Sequence, residues 1–449
     1  MATIPTTDCS FGDIVTAYNT TVASGSQISM NNINLTSFSG KTVYNPGWPI
    51  TGATVIPSSS ISTSLFYGKT FQIPVPTITF SSCVVVDTNA GAQSWNNPTI
   101  TSEKTYGKLY ALYTGDDPYA KLIVKSSSNL NTSWQSPGTG SGIIDTGMPG
   151  GWAGQYSMAT GVFGNVYFAY GKSNGLWLYQ QNSSWNDTSP GPHQLISPAN
   201  SARYVSIAVT TDYNADDNFY ISYQDYNSGN IKFLTKKRSS SYTTMSSTTI
   251  SSTSNNYANC IAVPKGSSTW PPHVFIVWLE GSSSYNVKFI KSTNGGSSGS
   301  WNSINIGGSA YASSGATVNL YAKDNNNLYL SYVNTSQQIV LRKSTNGGSS
   351  GSWTEIVINV AGSSVDYACD MHVKDSNIWI SYYYGYQYSN LGAVYSSDNG
   401  STWYQGTPTT PCLVDARLNA ITVYDNKAYI IGAADSNNKN LKCVTVEIT

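Results

Sequence analysis

Four arginines, three histidines and six cysteines have the narrowest chemical uses in this 449-residue chain. Their spacing limits what it can do. Cys9, Cys83, Cys260, Cys369, Cys412 and Cys443 form no C-x-x-C pair. None of them stands at ligand spacing from His193, His273 or His372, so neither a metal site nor a cofactor is expected. Gly-Lys-Thr occurs at Gly40–Thr42 and Gly68–Thr70, but both copies lack the upstream glycine and following helix of a phosphate loop. Hydrolysing a glycosidic bond would require two carboxyl groups, about 5 to 5.5 Å apart in a retaining mechanism. Asp225, Glu280 and Asp435 occupy corresponding places in different repeats, and nothing in the sequence marks two of them as a pair. Binding a sugar asks for less, because a tyrosine offers a flat apolar face to the ring and a hydroxyl to its edge. Tyr119, Tyr226, Tyr285, Tyr384 and Tyr386 fall in polar stretches, accompanied by Arg203, Asp225, Glu280 and Arg417. These nine residues are the candidate contact set. Tyr382, which opens the run YYYGYQY, is assigned to the core by its place in a strand.

A repeat must position these residues. KLYALY at Lys108, NVYFAY at Asn165, NFYISY at Asn218, HVFIVW at His273, NLYLSY at Asn327, NIWISY at Asn377 and KAYIIG at Lys427 are seven versions of one phrase, 50 to 57 residues apart. Each has an aromatic at its third position and otherwise reads as a half-buried strand. A small-residue apolar strand precedes each copy, and a third strand follows. In the best-formed repeats a serine-asparagine-glycine turn and a strand opening on tryptophan complete the unit. Four strands per unit of this length, repeated seven times, predict a seven-bladed β-propeller over residues 91–449. The last repeat ends on LKCVTVEIT without a fourth strand. The stretch Phe71–Thr88 has the alternation to supply it, which would remove an open edge. Cys83 and Cys443 would then lie on neighbouring strands, where a disulfide is geometrically allowed.

The turn phrase is KSTNGGSSGSW at Lys291 and again at Lys343, shortened to SSDNGSTW at Ser396. Ser292, Ser344 and Ser396 stand 52 residues apart. An aspartate or asparagine can lock such a turn by accepting backbone N–H groups, and glycine supplies the positive φ. Asn294, Asn346, Asp398, Gly400 and Trp403 are therefore expected to be structural locks. The third copy resembles the Asp-box of sialidase-type propellers, matched at Ser396, Asp398, Gly400, Thr402 and Trp403. The resemblance implies a turn between third and fourth strands, on the face opposite the site. Asn294 and Asn346 replace the aspartate in the longer copies, with asparagine expected to cap in its stead. The arginine cluster that sialidase chemistry requires is incomplete. Arg238 and Arg342 end third strands near the turn face, Arg203 and Arg417 share the context ARYVSIAV and ARLNAITV, and FQIP at Phe71 carries Gln72 where that family has arginine.

Charged residues make up 10% of the chain and the net charge is zero, against about 25% charged in ordinary soluble proteins. So weak a field argues against nucleic acid and suits neutral glycans or proteins. No apolar run is long enough to insert in a membrane, and the N-terminus lacks a secretory pattern. The first seventy residues repeat internally, with SGSQISMNNINLTSFSGKT and GATVIPSSSISTSLFYGKT. With FGDIVTAYN at Phe11, they resemble the leader region of tailed-phage structural proteins. That resemblance implies a docking module at 1–70, a linking strand at 71–90, and a propeller displayed outside the particle. The expected protein is a phage virion component, fibre-like or a surface appendage. It would be assembled in the host cytoplasm, held to other virion proteins by residues 1–70, and would touch host-surface glycan or receptor through its propeller without being an enzyme. A sialidase-like glycoside hydrolase or free-standing lectin is the alternative, and a ligand-free decoration protein the third reading.

Overall fold

The computed structural model describes most of residues 77–449, apart from short stretches that include 89–97, 116–119, 182–191, 385–389, 407–418 and 435–439. Of the first 76 residues it describes only the strands Thr42–Tyr44 and Ala53–Val55. Two compact units divide the chain, residues 1–79 with 448–449, and residues 80–447. In the first, Thr42–Tyr44 pairs antiparallel with Ala53–Val55, and the backbones of Thr77 and Thr449 exchange bonds of 2.9 and 3.0 Å. The rest of the expected 1–70 docking module, including FGDIVTAYN, lies outside the described residues.

The second unit is a seven-bladed β-propeller, as the repeat predicts. Its innermost strands are Thr99–Glu103, Tyr156–Thr160, Ala202–Thr211, Asn256–Ala262, Val318–Ala322, Val365–Lys374 and Asn419–Tyr424. Each packs on the innermost strand of the next blade, and the seventh packs on the first, so the ring is closed. Within the first six blades the strands pair antiparallel in sequence order, and in the seventh the three C-terminal strands do the same. Inner strands therefore start on the face where the loops between second and third strands emerge, and the turns between third and fourth strands lie on the opposite face. The described residues contain no helix, and so none that is long and apolar enough to cross a membrane.

The repeated aromatic phrases are the second strands, and they are buried more completely than their composition suggests. Every residue of Asp217–Asp225 is buried, as are all of Leu328–Val333. The reason is layering, because a blade is covered on both faces by its neighbours and both parities of its second strand meet apolar surface. Third-position aromatics pack on the following blade. Tyr167 meets Phe219 edge-on at 4.6 Å, and Tyr329 joins the cluster of the sixth blade. Sixth-position aromatics point the other way, with Tyr170, Tyr223, Tyr332 and Tyr382 packed against the preceding blade. Burying one such ring is worth about 2–3 kcal/mol. The phrase therefore acts as a two-faced wedge.

The strand missing from the last blade comes from the N-terminal side, as expected. Val84–Asp87 pairs antiparallel with Leu441–Cys443, and Ser81 and Thr445 are bonded through both main chain and the Ser81 hydroxyl. The first blade reinforces the join, with Asn131 Nδ2 donating to the Cys443 carbonyl at 3.3 Å. Cys83 and Cys443 do not bond to each other. Cys443 is a free, buried thiol, whereas Cys83 is disulfide-bonded to a partner outside the described residues. Pairing of Val84 opposite Cys443 places Cys83 one step beyond, in line with the chain rather than across from the thiol.

Candidate functional site

The turn-lock face is built from one shared contact and two different closures. In all three turns the first serine hydroxyl accepts the N–H of the glycine four residues on, Gly296 to Ser292 and Gly348 to Ser344 at 2.9 Å and Gly400 to Ser396 at 2.7 Å. That glycine has φ of +82°, +70° and +84° respectively, the left-handed region that side chains disfavour. In the short turn Asp398 Oδ1 accepts from Ser396 Oγ, Ser401 N and Thr402 N at 2.8, 3.0 and 2.8 Å. Asn294 and Asn346 do not stand in for it. Their side chains are exposed, and the inserted Ser300 and Ser352 close the long turns, bonding the first serine at 2.6 and 2.7 Å. The added residues give a hydroxyl the reach that the carboxylate has in the short form. Trp403 and Trp353 return to the blade with their indole N–H on the Gly400 and Gly348 carbonyls. The turns also hold successive blades together, since Lys291 donates to the Gly347 carbonyl at 2.9 Å and Lys343 to that of Asn399 at 2.6 Å.

On the opposite face, aromatic and guanidinium groups stand on blades three and four. Arg203 lies in the inner strand of blade three, with its guanidinium 3.3 Å from the ring centre of Tyr226, which remains 48% exposed. Burial draws the Arg203 pKa down, opposed by the Tyr226 oxygen. In blade four Tyr257 and Tyr285 stack at 4.7 Å in the core shared with blade five, and burial pushes the Tyr285 hydroxyl up to about 12, aided by Tyr257 and by Tyr204 of blade three. Two equivalent β-bulges assemble this group. Pairing slips between Arg203 and Ser206 and between Tyr257 and Asn259, with Tyr204 at φ +48° and Ala258 at φ +29°. A bulge puts two residues opposite one and turns a side chain out of the ladder. Such strained φ values mark places held by their surroundings. The Asn259 amide, which donates to the Tyr204 carbonyl, is one such constraint.

At the centre, the inner strands have no backbone ladder between blades, and side chains supply the bonds. Ser157 accepts the N–H of Ile207 at 3.3 Å, Ser206 that of Ile261 at 3.1 Å, and Asp370 that of Ile421 at 2.8 Å. Thr317 exchanges bonds with the backbone of Cys369. Buried serines of the aromatic phrases reach the same belt, Ser222 to Asn259 and Ser381 to Asn419. Above the belt, on the loop face, a cavity of about 210 Å³ is lined by the starts of all seven inner strands, including Thr99, Tyr204, Asn319, Asp370 and Asn419. Burial raises the Asp370 carboxyl to about 6, and the hydrogen bonds from Ile421 and Met371 only partly offset this. Burial likewise pushes the thiols of Cys260 and Cys369 up to about 11 and about 12. A second cavity, about 370 Å³, opens where inner strands end and includes His372, Lys374 and Asp425.

The candidate contact residues separate. Arg203 and Tyr226 come together in blade three, whereas Tyr285 is buried in blade four against Tyr257. Asp225 is 3% exposed, bonds its own turn at Asn227 N and pairs with Lys232 at 3.0 Å. Glu280 ends its strand, accepts from Thr253 at 2.9 Å and faces Lys288 at 3.5 Å. Tyr384, in blade six, packs near Tyr382 and is remote in the ring from the Arg203–Tyr226 contact. Tyr119, Tyr386, Arg417 and Asp435 lie outside the described residues. Tyr204, Tyr257 and Asp370 stand outside the candidate contact set. Tyrosine opening the strand phrases RYVS and NYAN was the available signal for the first two.

No family model matches this chain, and no curated protein matches it. Solved structures do. The BP39L lectin from Burkholderia pseudomallei superimposes with a TM-score of 0.58 at 12% identity, over 78% of this chain and 96% of that one. A polysaccharide lyase, an ulvan lyase, gives 0.48 at 13%, over 82% and 95%. The six-bladed fucose-recognising lectin of the fungus Aleuria aurantia gives 0.43 at 12%, over 79% and 94%. At these identities the first likeness speaks to the fold alone.

Proposed function

We propose that this protein binds glycans through the loop face of its propeller, at the Arg203–Tyr226 contact of blade three. The observation that carries the reading is the Arg203 guanidinium lying 3.3 Å over a Tyr226 ring that keeps half its surface open. A ring oriented by a cation on one side and open on the other offers a rigid platform for the C–H face of a sugar, and its hydroxyl a donor for the edge. A binding role fits better than hydrolysis, because Asp225 and Glu280, the described candidate carboxylates, are each engaged with a lysine. The resemblance of the N-terminal phrases to phage leaders supports the finer version, a virion appendage anchored by residues 1–70 and exposed to host-surface sugars. The full chain, screened on an array of neutral and acidic oligosaccharides, should retain a subset of them. Tyr226→Ala and Arg203→Ala should each weaken retention about tenfold or more, the scale of an aromatic or arginine anchor. Turnover of fluorogenic glycosides, or retention that is indifferent to both substitutions, would refute the reading.

A further inference from the structure

We propose, resting on the platform reading above, that the cavity at the channel mouth receives the terminal residue of the bound glycan, and that this residue is a neutral sugar and not an acidic one. Position is the first argument. Tyr204 follows Arg203 in the chain and belongs to the cavity wall, and Ala258, the strained residue of the second bulge, lines the cavity as well. A chain lying on Tyr226 and Arg203 therefore has the mouth within its path. Size is the second. About 210 Å³ is below the 300–1,000 Å³ typical of pockets for larger ligands. It suits one ring entering end-on, with the penultimate residues left outside on the platform.

Wall chemistry selects the kind of ring. Asp370 spends one bond of each oxygen on a backbone N–H, that of Met371 at 2.9 Å and that of Ile421 at 2.8 Å. A carboxylate has about four acceptor positions, so capacity remains for sugar hydroxyls. Asn319 and Asn419 stand on the same wall, with apolar surface from Val205, Val318 and Ala420 for the ring's C–H groups. The described residues lining the cavity include no lysine, arginine or histidine. A sugar carboxylate placed there would meet Asp370 with no cation among the described wall residues, Arg203 being turned out onto Tyr226, and repulsion in a poorly solvated site is costly.

The test uses the full chain and paired trisaccharides that share two inner residues and end either in a neutral hexose or in a hexuronic acid, with affinities read by calorimetry at pH 7.5. The wild type should prefer the neutral end about tenfold or more. Asp370→Asn should cut that ratio at least threefold by admitting the acidic end. Thr99→Trp should occlude the mouth from blade one, remote from the platform, and abolish the preference while binding to the inner residues persists. Thermal melts within about 3 °C of wild type show that each variant is folded. Equal affinity for both ends, or a ratio unchanged in both variants, overturns the channel assignment. If Tyr226→Ala still weakens both ligands alike in that case, the platform stands, whereas no binding to either trisaccharide overturns both.

Discussion

Removing the Asp398 carboxylate should destabilise the propeller, whereas removing the amides of Asn294 or Asn346 should not, although the three residues occupy the same place in their turns. Asp398 Oδ1 collects three hydrogen bonds, two of them from backbone N–H groups of its own turn. Bonds to a charged acceptor are worth about 1.5–3 kcal/mol when buried, but these donors are exposed and water would replace part of the loss. The nearest calibrated case, a carboxylate capping a helix start, gives about 0.5–2 kcal/mol on truncation to alanine. We therefore expect Asp398→Ala to cost about 1–2 kcal/mol, equivalent to about 1–3 °C in Tm for a unit of this size. Asn294→Ala and Asn346→Ala should stay within about 0.5 kcal/mol, because Ser300 and Ser352 close those turns. Ser300→Ala should cost more than Asn294→Ala. The pH dependence supplies a second check. Burial alone would raise the Asp398 pKa, but the bonds from Thr402, Ser396 and Ser401 outweigh it and hold the carboxyl below its ordinary value. A depressed acid stabilises at neutral pH and loses that contribution as pH falls through the folded-state pKa. The gap between wild type and Asp398→Ala should thus be full at pH 7 and close in strong acid. Differential scanning calorimetry of the four variants measures all of this. Equal losses for Asp398→Ala and Asn294→Ala would refute the assignment of the lock to the carboxylate.

Asp370 should behave in the opposite sense. With its carboxyl raised to about 6 from 3.8, stability should fall by at most about 3 kcal/mol as pH rises through that window, and the Asp370→Asn melt should be flatter there. The facing thiols of Cys260 and Cys369, both pushed up, stay neutral throughout and do not confuse the reading. Ser381→Ala should cost about 1–3 kcal/mol in chemical denaturation, because it deprives the buried Asn419 oxygen of its donor. Val86→Asp, which puts a charge at a 4% exposed position of the closing strand, should cost more than about 3 kcal/mol or abolish folding, as read by soluble yield and melting. Cys443, buried and free, should resist alkylation in the native protein and react only once the ring is opened by denaturant.

What the amino-acid order determined by itself was the repeat and its consequences. Seven aromatic phrases at near-constant spacing cannot all be covered except by one another, so the blade count, the closed ring and the borrowed strand Val84–Asp87 were legible before any coordinates. The serine and glycine of the turns were legible for the same reason, since their contacts span only four residues. Tertiary structure decided whatever depends on the neighbouring blade. The double burial of the second strands, the reach of Ser222 and Ser381 into the central belt, and the pairing of Asp225 with Lys232 rather than with a ligand arise between segments that meet only when layered. The candidate site shows the limit most clearly. Arg203 and Tyr226 were singled out one by one, but Tyr204 and Tyr257 take their places through slips of register. A slip of one residue reverses which face a side chain occupies while leaving the local sequence pattern unaltered.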